Sequence, residues 1–167
     1  MAETVANWLK ETLHIGPGLV TFIVSMLPIL ELRGGLIVGA LFKLPYWKAL
    51  LLSVAGNIIP IPFILFALTP IFRWLKEHVG FLRPLIEKYE AKADEKKDKI
   101  AKAEFWGLML FVGIPLPGTG AWTGGFIASV LGVNWKKAVC AILLGLVMAA
   151  TIMSIITYVI PWAITLF

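Results

Sequence analysis

Pro28-Ile29-Leu30-Glu31-Leu32-Arg33-Gly34-Gly35 is the stretch that decides the fold, because it places a carboxylate and a guanidinium two residues apart within a long apolar run. A charge at membrane depth costs at least ~2.5 kcal/mol, so such charges face protein or a water-filled cavity. Proline lacks a backbone donor and glycine permits turn conformations, so we expect the helix to break between Glu31 and Gly35. Non-helical backbone is tolerated at that depth only when it is buried in protein or lines a cavity. The stretch is therefore the first candidate for a functional site.

The composition is that of an integral membrane protein. The 167 residues are 59% hydrophobic and 15% charged, with a mean hydropathy of +0.88, whereas soluble domains carry about a quarter charged residues. Of the 25 formal charges, 16 fall between Arg73 and Glu104, so the flanking regions are almost free of charge. The pI of about 9.4 then reflects topology and gives no reason to expect nucleic acid as a partner.

Groups that carry enzyme chemistry are missing from the apolar segments. No nucleophile–base arrangement and no metal-ligand pattern occurs there, so we expect no catalytic residues, no metal, no cofactor and no enzymatic activity. Cys140 is the only cysteine, which excludes an intrachain disulfide and a cysteine metal motif. Its apolar surroundings in sequence predict a buried packing residue.

The first half of the chain predicts a broken helix followed by a long one. Residues 19–44 are long enough to span a bilayer as one helix, but a break leaves two halves of about a dozen residues, which are too short to cross. We therefore favour a re-entrant hairpin. A basic and aromatic girdle at 43–48 is typical of the headgroup region. Residues 49–72 predict a spanning helix that is kinked where Gly56-Asn57 and Pro60-Ile61-Pro62 interrupt it.

The second half repeats this order. Residues 105–133 are apolar and broken, a girdle follows at 134–137, and residues 138–161 predict a final helix that Pro161-Trp162 closes. Trp47 follows Pro28 by 19 positions, and Trp135 follows Pro115 by 20. The residues predicted to break the two hairpins are Pro28, Gly34, Gly35, Pro115, Pro117, Gly118, Gly120 and Gly124.

Together these segments predict a single all-α membrane domain over residues 1–167. It consists of repeat one at about 17–72, a charged connecting helix at 73–104 and repeat two at about 105–167, with an amphipathic helix at the N-terminus. Nine basic residues in the connector place it in the cytoplasm of a multi-pass protein of the cell membrane. Lys136 and Lys137 share that side only if repeat two also begins with a re-entrant hairpin, which makes the two repeats inverted. Paired, broken segments of this kind indicate a transporter's midplane site.

Two motifs carry a family resemblance that covers nearly the whole chain. Pro28-Ile29-Leu30-Glu31-Leu32-Arg33-Gly34 and Ile114-Pro115-Leu116-Pro117-Gly118-Thr119-Gly120-Ala121-Trp122-Thr123-Gly124 resemble the small multidrug export protein family, and 57–63 looks like that family's broken helix. A more distant similarity is to the DedA-type membrane proteins. It implies paired re-entrant hairpins that flip lipid carriers with proton coupling, through acidic residues in the first hairpin and arginines in the second. Glu31 fits the acidic role, but residues 113–125 contain no arginine, so Arg33 would have to bind a phosphate.

These features lead us to expect a secondary transporter or lipid flippase that moves an amphiphilic, anionic, lipid-like substrate. Glu31 would carry the coupling proton, since partial burial favours a protonated carboxyl. Arg33 would pair with Glu31 or with an anionic headgroup. Neutral polar contacts would come from Asn57, Thr119, Trp122 and Thr123. The alternatives are a small multidrug/proton antiporter for amphipathic drugs and a scaffold that transports nothing. Membrane lipids are expected partners, and a homodimer is expected from the small size.

Overall fold

A computed structural model of the chain describes residue 4 and residues 15–67 and 97–165. Within those ranges the chain is helical and contains no strand. The predicted N-terminal amphipathic helix and the connector as far as residue 96 lie outside the described residues, residue 4 apart. Residues 97–104 of the connector are helical and continue into the apolar helix that follows, so the boundary predicted at 105 lies inside one helix.

The helices are named here in chain order. They are α1 (Pro17–Met26), α2 (Glu31–Leu41), α3 (Tyr46–Ile58), α4 (Lys97–Gly113), α5 (Ala121–Val130), α6 (Trp135–Ser154) and α7 (Ile160–Ile164). Helical structure resumes after Ile59, directly at Pro60, and extends α3 to residue 67. A π-helical turn at Ile155–Val159 joins α6 to α7. Two continuous helices, Tyr46–Ala67 and Trp135–Ile164, are long and apolar enough to cross a membrane.

The two long helices hold the molecule together because each of them packs against residues from both halves. One cluster buries Ile61 and Leu65 from the end of α3 against α4, α5 and the first half of α6. A second cluster buries Leu32 and Leu36 of α2 against α3 and the second half of α6. The core therefore runs along α3 and α6, and the shorter helices lie against it.

The first break lies earlier than the sequence predicted. Helix α1 ends at Met26, Leu27 is extended, and α2 begins at Glu31. Pro28 explains this position, since the residue before a proline is forced out of the helical region. Helix α4 ends at Gly113 and α5 begins at Ala121, so the second break contains Pro115, Pro117, Gly118 and Gly120, as predicted.

Three glycines assigned to the breaks lie in helices instead, so those assignments are wrong. Gly34 and Gly35 belong to α2, and Gly124 belongs to α5. All three allow close helix packing. A Cβ on Gly34 would lie 3.3 Å from Cγ1 of Val24 on α1, and one on Gly124 would lie 2.6 Å from Cγ2 of Val112 on α4. Gly35 faces the hydroxyl groups of Ser25 and Ser53.

Two further predictions are also wrong. Pro161 does not close the last helix, because it lies in the first turn of α7, where a missing N–H is tolerated, and α7 continues to Ile164. Cys140 is exposed in the single chain. It lies on an outward face of α6, whereas Ala138 and Ala141 on the inward face are buried.

Candidate functional site

The candidate site forms where the two breaks meet. The first pair is α1 and α2 with the break at 27–30, and the second pair is α4 and α5 with the break at 114–120. Glu31 is the first residue of α2 and only 4% exposed. Its carboxylate accepts hydrogen bonds from the N–H groups of Ala121 at 3.2 Å and Trp122 at 3.0 Å. The first amides of a helix have no partner within the helix. Glu31 therefore caps α5 from the other half of the chain.

Gly120 makes room for this cap. It precedes α5 with φ of 144°, a conformation that favours glycine. A Cβ at this position would overlap the Glu31 carboxylate. Gly120 also has no side chain that could cap α5 locally. The same residue thus leaves α5 without a local cap and provides the space for a remote one.

Arg33 caps the other side of the second break. Its guanidinium donates to the carbonyl oxygen of Leu116 and, at 3.3 Å, to that of Ile114, just beyond the end of α4. It also donates to the Thr119 hydroxyl at 2.9 Å. That hydroxyl lies 2.9 Å from both of the same carbonyl oxygens. Arg33 and Thr119 together satisfy the carbonyl groups that the break exposes.

Trp122, from the second pair, caps the end of α1 in the first pair. Its indole N–H donates to the carbonyl oxygen of Met26 at 3.1 Å, and Met26 is the last residue of α1. Ends of three helices are therefore satisfied by groups from the opposite pair. We name the set of Glu31, Arg33, Thr119 and Trp122 the latch.

The charges of the latch match the helix dipoles. A helix start is electropositive and a helix end is electronegative, each by about half a charge. The anion lies at the start of α5, and the cation lies beyond the end of α4. Glu31 itself has φ of 50°, a left-handed conformation that a non-glycine residue adopts at a cost of about 1–3 kcal/mol. Residues in this conformation cluster at functional sites. This makes Glu31 the strongest single candidate.

The structure brings most of the predicted site residues together. Glu31, Arg33, Thr119 and Trp122 meet in the latch, while half-buried Thr123 follows on α5 and takes no part in these bonds. Asn57 lies on α3, is 1% exposed, and its Oδ1 has no hydrogen-bond partner among the described residues. The sequence does not reveal the backbone groups that the latch holds, at Met26, Ile114, Leu116 and Ala121. The only signal was Gly120, a residue without a side chain directly before a helix.

Within residues 15–67 and 97–165, no group of three or more His, Cys, Asp or Glu residues is placed to hold a metal ion. The polar groups of the latch contact backbone and one another. These groups can exchange their hydrogen bonds for bonds to other molecules. Such an exchange would separate the first helix pair from the second.

Comparison with known proteins gives one match. Residues 31–152 match the sequence model of the family described as "Putative small multi-drug export protein". Comparisons with curated proteins and with solved structures give no match, and the distant similarity to DedA-type proteins stays a prediction. The matched residues begin at Glu31 and include all of the latch, α3 and most of α6. Because the match covers well over half of the chain, this protein belongs to the family of small multi-drug export proteins.

Proposed function

We propose that the protein is a membrane transporter that exports amphiphilic small molecules, and that the latch is its gate. The observation that carries the proposal is the pair of oppositely charged side chains, Glu31 and Arg33, which hydrogen-bond across the two helix breaks within apolar segments. The family membership supports a role in export. The gate acts without a cofactor, because only hydrogen bonds are made and broken.

In the proposed cycle, the two pairs separate at the latch to admit the substrate and close again behind it. Opening frees the first amides of α5 and the carbonyl groups beyond α4. An amphiphile with both donors and acceptors can replace those bonds while its apolar part lies among the helices. Trp122 offers an aromatic surface for that part, and Thr123 and Asn57 offer neutral polar contacts nearby.

Proton coupling follows from the same bonds. A carboxylate accepts from two amides at once, and such charge-assisted bonds are about twice as strong as neutral ones. Protonation of Glu31 would weaken both bonds and remove the negative charge from the start of α5. Acidification would therefore favour the open latch, which links proton uptake to substrate movement.

The proposed membrane arrangement places both pairs as re-entrant hairpins in inverted repeats. Helices α1, α2 and α5 have 10, 11 and 10 residues, and a spanning helix needs about 20. Both breaks would then meet within the bilayer, where irregular backbone has to be satisfied by protein. The side chains of the latch make those hydrogen bonds. The charged connector would lie in the cytoplasm.

An anionic lipid is the second candidate substrate, favoured by the half-buried guanidinium of Arg33. Once released from the carbonyl groups of Ile114 and Leu116, this planar group can bind a phosphate in a bidentate manner. A scaffold without transport is the remaining alternative, in which the latch stays closed.

The test uses purified protein reconstituted in liposomes with a pH gradient. Ethidium uptake reports the export of an amphipathic drug, and fluorescent phosphatidylglycerol reports lipid movement between leaflets. We expect the wild-type protein to move ethidium in a pH-dependent way, and Glu31→Gln to lose the pH dependence. Glu104→Gln, which removes a carboxylate outside the latch, serves as the matched control. Movement of the lipid alone would favour the second candidate, and movement of neither would refute transport.

A further inference from the structure

An open, mostly apolar groove lies between α1 and α3, away from the latch. Its volume is about 630 Å³, and its lining includes Gly18, Leu19, Phe22, Leu44, Lys48 and Leu52. Lys48 is the charged group of this lining. A Cβ on Gly18 would lie 3.2 Å from Cδ1 of Leu52 and 3.7 Å from Cε of Lys48. The lysine side chain therefore lies over the first turn of α1.

Among the residues that the structure describes, no carboxylate pairs with Lys48 at this end of the groove. Glu31 is the only acidic residue of 15–67, and its carboxylate is held by α5 in the latch. Neither α1 nor α3 has an acidic residue in its first turn or a side-chain cap. Gly18 faces Lys48 and Leu52, while Gly56 faces Phe22 and Ser25, so α1 and α3 run in the same direction. The positive ends of two helix dipoles thus lie beside the lysine.

The groove changes from polar to apolar along its length. Tyr46 and Trp47, at the start of α3, are 45% and 63% exposed, and exposed aromatic residues beside lysines are typical of the headgroup level of a membrane. Leu52 and Phe22 lie one helical turn beyond Lys48 and Gly18 respectively, and therefore deeper. This order of charge and apolar surface is the order found along a phospholipid.

We propose that this groove binds an anionic phospholipid, with the phosphate at Lys48 and the helix starts and one acyl chain along Phe22 and Leu52. Charge complementarity selects the headgroup, since a zwitterionic lipid brings its own cation to a site that is already positive. The proposal relies on the membrane placement of α3 and is independent of transport through the latch.

The test is native mass spectrometry of the delipidated protein in detergent, titrated with phosphatidylglycerol and with phosphatidylcholine of the same acyl chains. We expect tighter binding of phosphatidylglycerol. Lys48→Gln should weaken it about fivefold, the effect of one lysine near an anionic surface, and should leave phosphatidylcholine unchanged. Lys136→Gln is the matched control, because Lys136 follows Trp135 at the start of α6 as Lys48 follows Trp47.

Three results would overturn the proposal. The first is that Lys48→Gln binds phosphatidylglycerol as tightly as the wild type does. The second is that Lys136→Gln loses the same affinity, which would mean that overall charge decides. The third is that glycerol phosphate displaces the lipid at equal concentration, which would mean that the acyl chain does not lie in the groove. An effect confined to Lys48→Gln, together with weak competition by glycerol phosphate, supports the site.

Discussion

Replacing Glu31 with glutamine tests the latch most directly, because the side chain keeps its shape and loses one acceptor and its charge. In the wild type, the two carboxylate oxygens accept from Ala121 and Trp122 at 3.2 and 3.0 Å. The amide of glutamine has one oxygen, so one of these N–H groups faces a donor. The variant also leaves Arg33 half-buried without an anion nearby.

The size of the effect follows from these losses. A hydrogen bond to a charged group contributes about 1.5–3 kcal/mol, and a neutral one about 1 kcal/mol. Loss of one charged bond and conversion of the other to a neutral one therefore cost about 2–5 kcal/mol. The favourable interaction with the start of α5 adds up to about 1 kcal/mol more. We expect Glu31→Gln to lower the free energy of unfolding by about 3 kcal/mol.

The assay is thermal and denaturant unfolding in one detergent, with Glu104→Gln measured alongside. The control should lie within about 0.5 kcal/mol of the wild type, as surface substitutions usually do. A Glu31→Gln variant within 1 kcal/mol of the wild type would refute the reasoning, since the carboxylate would then hold nothing together. If both variants lose the same free energy of unfolding, the effect comes from the change in net charge.

Four other predictions concern the second break, the cap on α1, the membrane topology and the oligomeric state. Gly120→Ala should lower the free energy of unfolding by about 3 kcal/mol, because the new Cβ overlaps the Glu31 carboxylate and φ is left-handed. Gly118→Ala is the control: with φ of 80° and open space around the residue, it should lower the same quantity by about 1 kcal/mol. Trp122→Phe removes the donor to Met26 and keeps most of the ring, so unfolding should become easier by about 1 kcal/mol, and no change would remove that bond from the latch. In a Cys140→Ala background, cysteines at Lys43 and Lys48 should react with an impermeant maleimide from one side of the membrane and cysteines at Lys97 and Lys136 from the other; opposite labelling of Lys97 and Lys136 would contradict the re-entrant second pair. Light scattering in detergent should give a protein mass of twice 18.4 kDa for a homodimer, and a single chain mass would exclude it.

The residues of the candidate site could be singled out from the sequence because their strongest signals are local. Proline and glycine at 115–120 interrupt a helix wherever the chain folds, and a carboxylate and a guanidinium in an apolar run need partners in any fold. The position of the first break was missed because two rules competed there. Pro28 forces Leu27, the residue before it, out of the helical conformation. Gly34 and Gly35 only permit a break, and in the structure they are helical because α2 packs closely against its neighbours there.

The partners of the two charges could not be predicted in the same way. Glu31 and Arg33 are close in sequence, so pairing with each other or facing a cavity were the natural expectations. Apart from the Thr119 hydroxyl, their partners are backbone groups 81 to 91 positions away. Backbone amides and carbonyls are present at every residue and leave no mark in the sequence. Only the three-dimensional arrangement shows which of them lack a partner within their own helix.

Because each helix pair caps helix ends of the other pair, the order in which the chain is synthesised matters. During synthesis the first pair leaves the ribosome some eighty residues before α5, and until then Glu31 has no amides to bind and the end of α1 has no indole donor. The first half therefore passes through a stage in which Glu31 and the end of α1 lack the partners that they have in the complete chain. Once the second half is complete, Glu31 can bind the first amides of α5 and Trp122 can cap the end of α1. The two halves mature as one cooperative unit, and neither is expected to persist in its final form when it is expressed alone.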